Sequence, residues 1–322
     1  MNNLFAQSRS HWVRYDRYEI KTGKDGKRYI TPEKAAKPDI YNPLKESSEM
    51  VLEALNVGML MMNRRSEDVV EKAILAFVTH YGLLGLMTAL PTTPSFMDYE
   101  AVYLPMQTTE TGEICWEKNA VVLQPALKQA SAVLIGCGLG NTAATQELLR
   151  NVVNLVECPL IMDADGLNAL ASCIDIMQKQ KPNWILTPHP GEMARLSGMT
   201  TATVQANRKQ CAAEFCKQFS GTLVLKGAGT IIQQGTTAIQ NPTGNPGMSR
   251  GGSGDVLAGM IAAFAAQGLS PYDAACAGAY LHGLAGDVAA ARYSEQAMLP
   301  QDLLRCLPEV FLKLEQERTA KE

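Results

Sequence analysis

The sequence predicts an α/β protein with a mostly parallel central sheet flanked by helices, and three observations predict it. From about Leu104 onward, short apolar runs alternate with helix-patterned stretches, the order expected of successive βαβ units. Four of those runs end in clusters of glycine and polar residues, and an open parallel sheet binds its ligands at the carboxyl ends of its strands. The composition also changes along the chain: residues 1–100 hold five of the 26 glycines and none of the 8 cysteines. We therefore divide the chain into an atypical N-terminal extension, residues 1–103, and an α/β domain, residues 104–322.

At roughly 150 residues per domain, 322 residues allow about two domains. A hydrophobic share of 46% against 19% charged excludes a disordered chain. The net charge of −3 gives no electrostatic ground for binding nucleic acid or an anionic membrane. The first residues lack the apolar core of a secretory signal. Cysteines without any C-x-x-C pair read as reduced thiols of a cytoplasmic protein, neither a disulfide framework nor a zinc site.

Within the extension, Arg17 to Lys21 and Lys27 to Thr31 flank a Gly23–Gly26 turn and predict a hairpin. Helices are expected over 46–62 and 67–78. The stretch from Ala73 to Met97 carries no formal charge, but Gly82, Gly85, Pro91 and Pro94 interrupt it. It predicts a buried helix ending near Gly82, not a membrane span, and puts Gly85 in an apolar helical context.

In the α/β domain, Ala132–Ile135 is a strand running into Gly136-Cys-Gly-Leu-Gly140, with Thr142 placed to cap a helix from Ala143 to Val153. Pro159–Met162 is a second strand and ends at Asp163-Ala-Asp165. Asn183–Leu186 is a third and ends at Thr187-Pro-His-Pro-Gly-Glu192. Thr222–Leu225 is a fourth and ends at Lys226-Gly-Ala-Gly-Thr230.

The densest signal is Asn245-Pro-Gly-Met-Ser-Arg-Gly-Gly-Ser-Gly-Asp255, followed by an apolar, small-residue helix. A glycine loop opening a helix aims unpaired N–H groups outward, and the helix dipole favours an anion there. Asp255 sits in the first turn, where a carboxylate would repel a bound phosphate. A general base taking a hydroxyl proton during phosphoryl transfer explains it; a helix-capping aspartate is the structural alternative. No G-x-x-x-x-G-K-[ST] loop is present, and Asn141 stands where the dinucleotide fingerprint needs its third Gly or Ala.

Other residues carry two readings. Lys226 is either a ligand contact or the partner of a surface carboxylate. His189, between two prolines, is either a substrate contact or a turn residue with a satisfied imidazole. Asp163 and Asp165 shape the strand exit as Asx-turn residues or act directly, with Asn168 bracing the same turn. His282 is expected to pack between helices, and Arg250 contacts phosphate or supplies surface charge.

Taken together, GCGLG (136–140), DADGLNAL (163–170), LTPHPGEMARLSG (186–198), VLKGAGTII (224–232), NPGMSRGGSGDVLAGMIAAFAAQGLSP (245–271) and YLHGLAGDVAA (280–290) resemble the ADP-dependent NAD(P)H-hydrate dehydratases of the ribokinase-like superfamily. The motifs keep the family's order over about two-thirds of the chain. The resemblance implies a lyase of nicotinamide nucleotide repair, in which ADP drives dehydration of the S epimer of NADHX or NADPHX to NAD(P)H, AMP and phosphate. It implies Asp255 as the catalytic base. It implies nucleotide contacts at Lys226, Gly227, Ala228, Gly229, Thr230, Gly252, Ser253 and Gly254, and hydrated-dinucleotide contacts at Gly140 and His189 beside Asp255. Mg²⁺ is expected with the phosphates, with Glu192 as an outer-sphere contributor. The family is commonly tetrameric and coupled to NAD(P)H-hydrate epimerase.

The chain departs from the family at Cys137, where proline is usual, and at Ser249-Arg250, where Ala-Thr is usual. Residues 1–103 show neither the family's opening strand and glycine-rich turn nor an epimerase domain. The resemblance thus leaves open whether the hydrate half of the pocket is complete. Two alternatives stay open with it: an ATP-dependent ribokinase-like kinase of a small molecule, and a catalytically impaired nucleotide-binding protein.

Overall fold

The computed structural model describes residues 18–22, 28–32, 83–87, 101–110 and 112–319. The chain separates into two compact units, Met1–Ser48 and Glu49–Glu322. In the first, β1 (Tyr18–Thr22) pairs antiparallel with β2 (Arg28–Pro32), Ile20 opposite Ile30. These are the two arms of the expected hairpin. Its turn, and the helices expected over 46–62, 67–78 and 73–82, lie outside the described residues.

In the second unit, β3 (Leu83–Met87) runs parallel to β4 (Ala101–Pro105). This corrects the helical reading around Gly85. Leu83-Leu84-Gly85-Leu86-Met87 is apolar without a period, and a run of that kind fits a parallel strand as well as a buried helix.

The main sheet has six strands in the order β10-β9-β8-β7-β6-β5. Strands β5 (Val133–Ile135), β6 (Leu160–Met162), β7 (Trp184–Leu186) and β8 (Thr222–Leu225) are parallel. Strands β9 (Ile231–Gln234) and β10 (Thr237–Gln240) extend it as an antiparallel meander. The parallel strands are apolar on both faces because helices cover both. Leu134, Ile161, Ile185 and Val224 point into one core with α7 (Ser253–Ala266), α8 (Pro271–Tyr293) and α9 (Pro300–Thr319). Their neighbours Val133, Met162, Leu186 and Leu225 point into the opposite core. There they meet α1 (Trp116–Gln129), α2 (Ala143–Leu155), α3 (Asp165–Ser172), α4 (Pro190–Ser197), α5 (Thr201–Ala206) and α6 (Arg208–Phe215). The period of two along each strand therefore serves two cores at once.

Helix α7 is apolar all round, and every residue from Val256 to Ala265 is buried, the mark of an interior helix. Gly278 lets α8 approach it closely: a Cβ there would lie 2.6 Å from the Ile261 side chain. Thr142 caps α2 as expected, accepting from the Thr145 amide.

Candidate functional site

Parallel alignment of β5 to β8 brings their four exits to one rim. The exits of β5 and β6 are in main-chain contact. Gly136 has φ +127°, and a Cβ on it would fall 1.8 Å from the Asp163 carbonyl oxygen; only glycine fits such a place.

At the β6 exit, Asp163 is buried, at 1% exposure. Its Oδ1 accepts from Thr187 Oγ1 at 2.9 Å and from Lys226 Nζ at 2.5 Å. Burial alone would lower the Lys226 pKa, but Asp163 and then Glu192 outweigh it and hold the ammonium above its ordinary value. The Lys226 amide donates to the Pro188 carbonyl at 2.9 Å, tying the β7 and β8 exits together. Lys226 thus neutralises a buried carboxylate, not a surface one.

The Asp163–Lys226 pair sits against the first turn of α7. A Cβ at Gly254 would lie 3.2 Å from Lys226 Nζ and 3.9 Å from Asp163 Oδ2. Asp255 follows on the same turn, and its carboxylate, that of Asp163 and the Cys137 sulfur lie within 4.8 Å of one another. Burial, then Asp255 and Asp163, push the Cys137 thiol well above its usual range, so it stays protonated.

Helix α7 begins at Gly252 with φ +101° and no side-chain cap. The Ser253 hydroxyl is buried without a hydrogen-bond partner. From below, His282 Nε2 lies 2.9 Å from the Ser253 carbonyl. Burial pushes the His282 pKa down to about 4 against the favourable carbonyl bond, so the ring is neutral and Nε2–H donates. His282 packs between α7 and α8, as expected. Arg250 is exposed and donates to the carbonyls of Glu295 and Gln296, which makes it a brace for the loop before α9.

At the β7 exit, His189 and Glu192 cap α4 reciprocally. His189 Nδ1 accepts from the amides of Gly191 at 3.0 Å and Glu192 at 3.4 Å, while Glu192 Oε2 accepts from the His189 amide at 2.8 Å. His189 Nε2 lies 3.2 Å from Glu192 Oε1. Both ring nitrogens are therefore engaged within α4, although the side chain is 51% exposed. Burial, then Lys226 and Arg195, lower the His189 pKa, as suits a nitrogen that accepts. Burial raises the Glu192 pKa to about 7, opposed by Lys226, whose Nζ is 3.9 Å away.

In the loop after β8, Gly229 has φ +62° and packs against Gln240, and Thr230 Oγ1 donates to the Gly227 carbonyl at 3.1 Å. Gly140 donates its amide to Asp165 Oδ2 at 2.6 Å. That bond gives Asp165 a bracing role, and Asn168 joins it through Asp165 and Arg195.

The structure brings Asp255, Gly254, Lys226 and Asp163 together and connects His189 to them through Glu192. Sequence reasoning missed the position of Cys137 against Asp255, the Asp163–Lys226 pair, and Arg208, which holds the carbonyls of Leu225 and Ala228. Only Cys137 carried a signal, as a departure from a motif.

The donor set of Cys137, Asp163 and Asp255 does not fit a protein-held Mg²⁺. That ion demands oxygen ligands in near-octahedral order, whereas the thiol is soft and protonated and Lys226 holds Asp163. An anion is better matched, by an uncapped helix start and a buried hydroxyl without a partner, with the partly buried Lys226 ammonium beside them.

Comparison with known proteins agrees with this architecture. A family model described as NAD(P)H-hydrate dehydratase matches residues 93–309. A bifunctional NAD(P)H-hydrate repair enzyme of Moorella thermoacetica is 47% identical over 238 residues, covering 73% of this chain and 43% of that protein. An ADP-dependent (S)-NAD(P)H-hydrate dehydratase of Neisseria meningitidis serogroup B is 43% identical over 162 residues, covering 49% of this chain and 55% of that one. The chain thus spans about two-fifths to a little over half the length of these relatives. A crystal structure of the ADP/ATP-dependent NAD(P)H-hydrate dehydratase of Bacillus subtilis, co-crystallized with ATP/Mg²⁺, superposes with a TM-score of 0.56 at 26% identity. That match covers 82% of this chain and 86% of the other.

The fold is ribokinase-like, a mostly parallel sheet between helical layers with a glycine-opened helix at its rim. The chain belongs to the NAD(P)H-hydrate dehydratase family. Among the described residues no helix is long and apolar enough to cross a membrane.

Proposed function

We propose that this chain dehydrates the S epimer of hydrated NADH or NADPH, driven by ADP. One observation carries the reading: the Asp255 carboxylate stands on the uncapped first turn of α7, against a buried Asp163–Lys226 pair. A carboxylate kept beside an anion site has a role when a hydroxyl must lose its proton there.

On this reading the ADP β-phosphoryl group lies at Gly252, Ser253 and Gly254, and the loop Lys226 to Thr230 holds the rest of the nucleotide. Asp255 takes the proton of the hydrate hydroxyl. The freed oxygen bonds to the β-phosphorus, the bond from that phosphorus to the bridging oxygen breaks, and AMP leaves. The Gly252 and Gly254 amides at the α7 start stabilise charge on the transferring group. The ring then expels phosphate, a far better leaving group than hydroxide, and regains its double bond as the neighbouring carbon loses a proton. Gly140 and His189 line the dinucleotide side; His189 offers its exposed ring face, since both nitrogens serve α4.

Mg²⁺ belongs to this scheme as a companion of the nucleotide phosphates, with Glu192 no closer than an outer-sphere contributor. The scheme also includes the division at 103/104, a cytoplasmic setting, a homotetramer and supply of the S epimer by an epimerase. Bifunctional relatives support the last of these.

The test mixes purified protein with ADP and hydrated NADH and follows recovery of reduced-nicotinamide absorbance. Recovery that needs ADP supports the reading. Phosphorylation of a small alcohol by ATP without such recovery would establish the kinase alternative. ADP binding without turnover of either kind would establish the impaired nucleotide binder.

A further inference from the structure

Four carbonyl groups at the loop after β8 are taken up within the protein: Leu225 by Arg208 Nη2 at 2.9 Å, Ala228 by Arg208 Nη1 at 2.5 Å, Gly227 by Thr230 Oγ1 at 3.1 Å and Thr230 by the Asn241 amide at 2.7 Å. Among the described residues, the amides of Gly227, Ala228 and Gly229 find no protein acceptor. Carbonyl dipoles turned toward a phosphate would repel it, whereas free amides attract it. Arg208 begins α6, and its planar guanidinium spans the loop from Leu225 to Ala228. A lysine ammonium lacks that fork. The chain passes close over this group, for a Cβ at Gly227 would lie 3.0 Å from Nη2, and Gly227 has φ +144°. The Arg208 Nε is buried without a partner, an unfavourable state offset by the two carbonyl bonds.

We propose that Arg208 is a positioning residue for nucleotide binding: it holds the Leu225 and Ala228 carbonyls so that the amides of Gly227 to Gly229 stay available to ADP. The proposal rests on the ADP reading above. Titration calorimetry with ADP on the full chain tests it, using wild type, Arg208→Ala and Arg208→Lys, with KM for the hydrated cofactor and melting temperature measured alongside. Arg208→Ala is expected to weaken ADP about tenfold or more, with the KM for the hydrated cofactor unchanged. Arg208→Lys should fall between the two, and added methylguanidinium should restore ADP affinity to Arg208→Ala alone. ADP affinity within twofold of wild type in both variants would overturn the positioning role. Equal weakening of both ligands, tracking a fall in melting temperature, would also overturn it and make Arg208 a general brace. Wild type that binds no ADP would be a different result, sinking the ADP reading together with the role built on it.

Discussion

Helix α4 begins under a reciprocal cap, with His189 and Glu192 taking up its first amides, whereas α7, at the same sheet edge, begins at Gly252 with no side-chain cap. The first amides of any helix need acceptors from outside it. In α4 the protein provides them, so that start is closed and stable. In α7 the Ser253 amide goes to the Arg250 carbonyl at 3.2 Å, while the Gly254 amide meets no acceptor among the described residues, and Lys226 and Asp255 stand beside it. One rim thus carries a helix start closed by its own side chains and, on the proposed reading, one that serves a ligand.

Changing the open start should have the largest effect. Asp255→Asn keeps the shape but turns one acceptor oxygen into an NH2 donor and removes the proposed base. Turnover should fall about a thousandfold or more, with ADP affinity in calorimetry little changed. Equal loss of binding and turnover would make Asp255 a binding residue.

At the closed start, Glu192 has a pH signature. Its folded pKa of about 7 stands above the ordinary 4.5. Between those values the folded chain keeps a proton that the unfolded chain has released. This contribution to stability is complete below pH 4.5 and is lost as pH rises through 7. Glu192→Gln, which keeps an acceptor for the His189 amide, should flatten that decline by up to about 3 kcal/mol. Denaturant unfolding at pH 5 and pH 8 measures it; an unchanged pH dependence would mean that Glu192 titrates normally.

Gly254→Ala sharpens the comparison further. Its methyl group would press on the Lys226 ammonium from 3.2 Å, which a flexible side chain can yield to. ADP affinity should drop about tenfold, with thermal stability nearly unchanged. The smallest effect belongs to the α4 cap itself. His189→Ala should cost about 1 kcal/mol in unfolding free energy, and His189→Asn, a good N-cap, should recover most of it.

Much of this was legible in the sequence because local chemistry dictated it. A glycine loop before an apolar helix marks an open helix start, and Asp255 within it is conspicuous. The four strand exits were legible for the same reason, each an apolar run stopped by glycine or polar residues. What escaped depends on distance along the chain. Asp163 and Lys226 are 63 residues apart and Arg208 is 20 residues before Ala228, so no local pattern announces either contact. The engagement of both His189 nitrogens needed the rotamer of one ring. Leu83 to Met87 escaped for another reason, since an apolar run without a period does not distinguish strand from helix.

The contact of Gly136 with the Asp163 carbonyl links two strand exits through main chain alone. Even a methyl group at residue 136 would push the exit of β6, and with it the carboxylate on which the Lys226 ammonium is seated. A lesion there would strike the fold before any chemistry, because the atoms in the way are main chain and cannot swing aside.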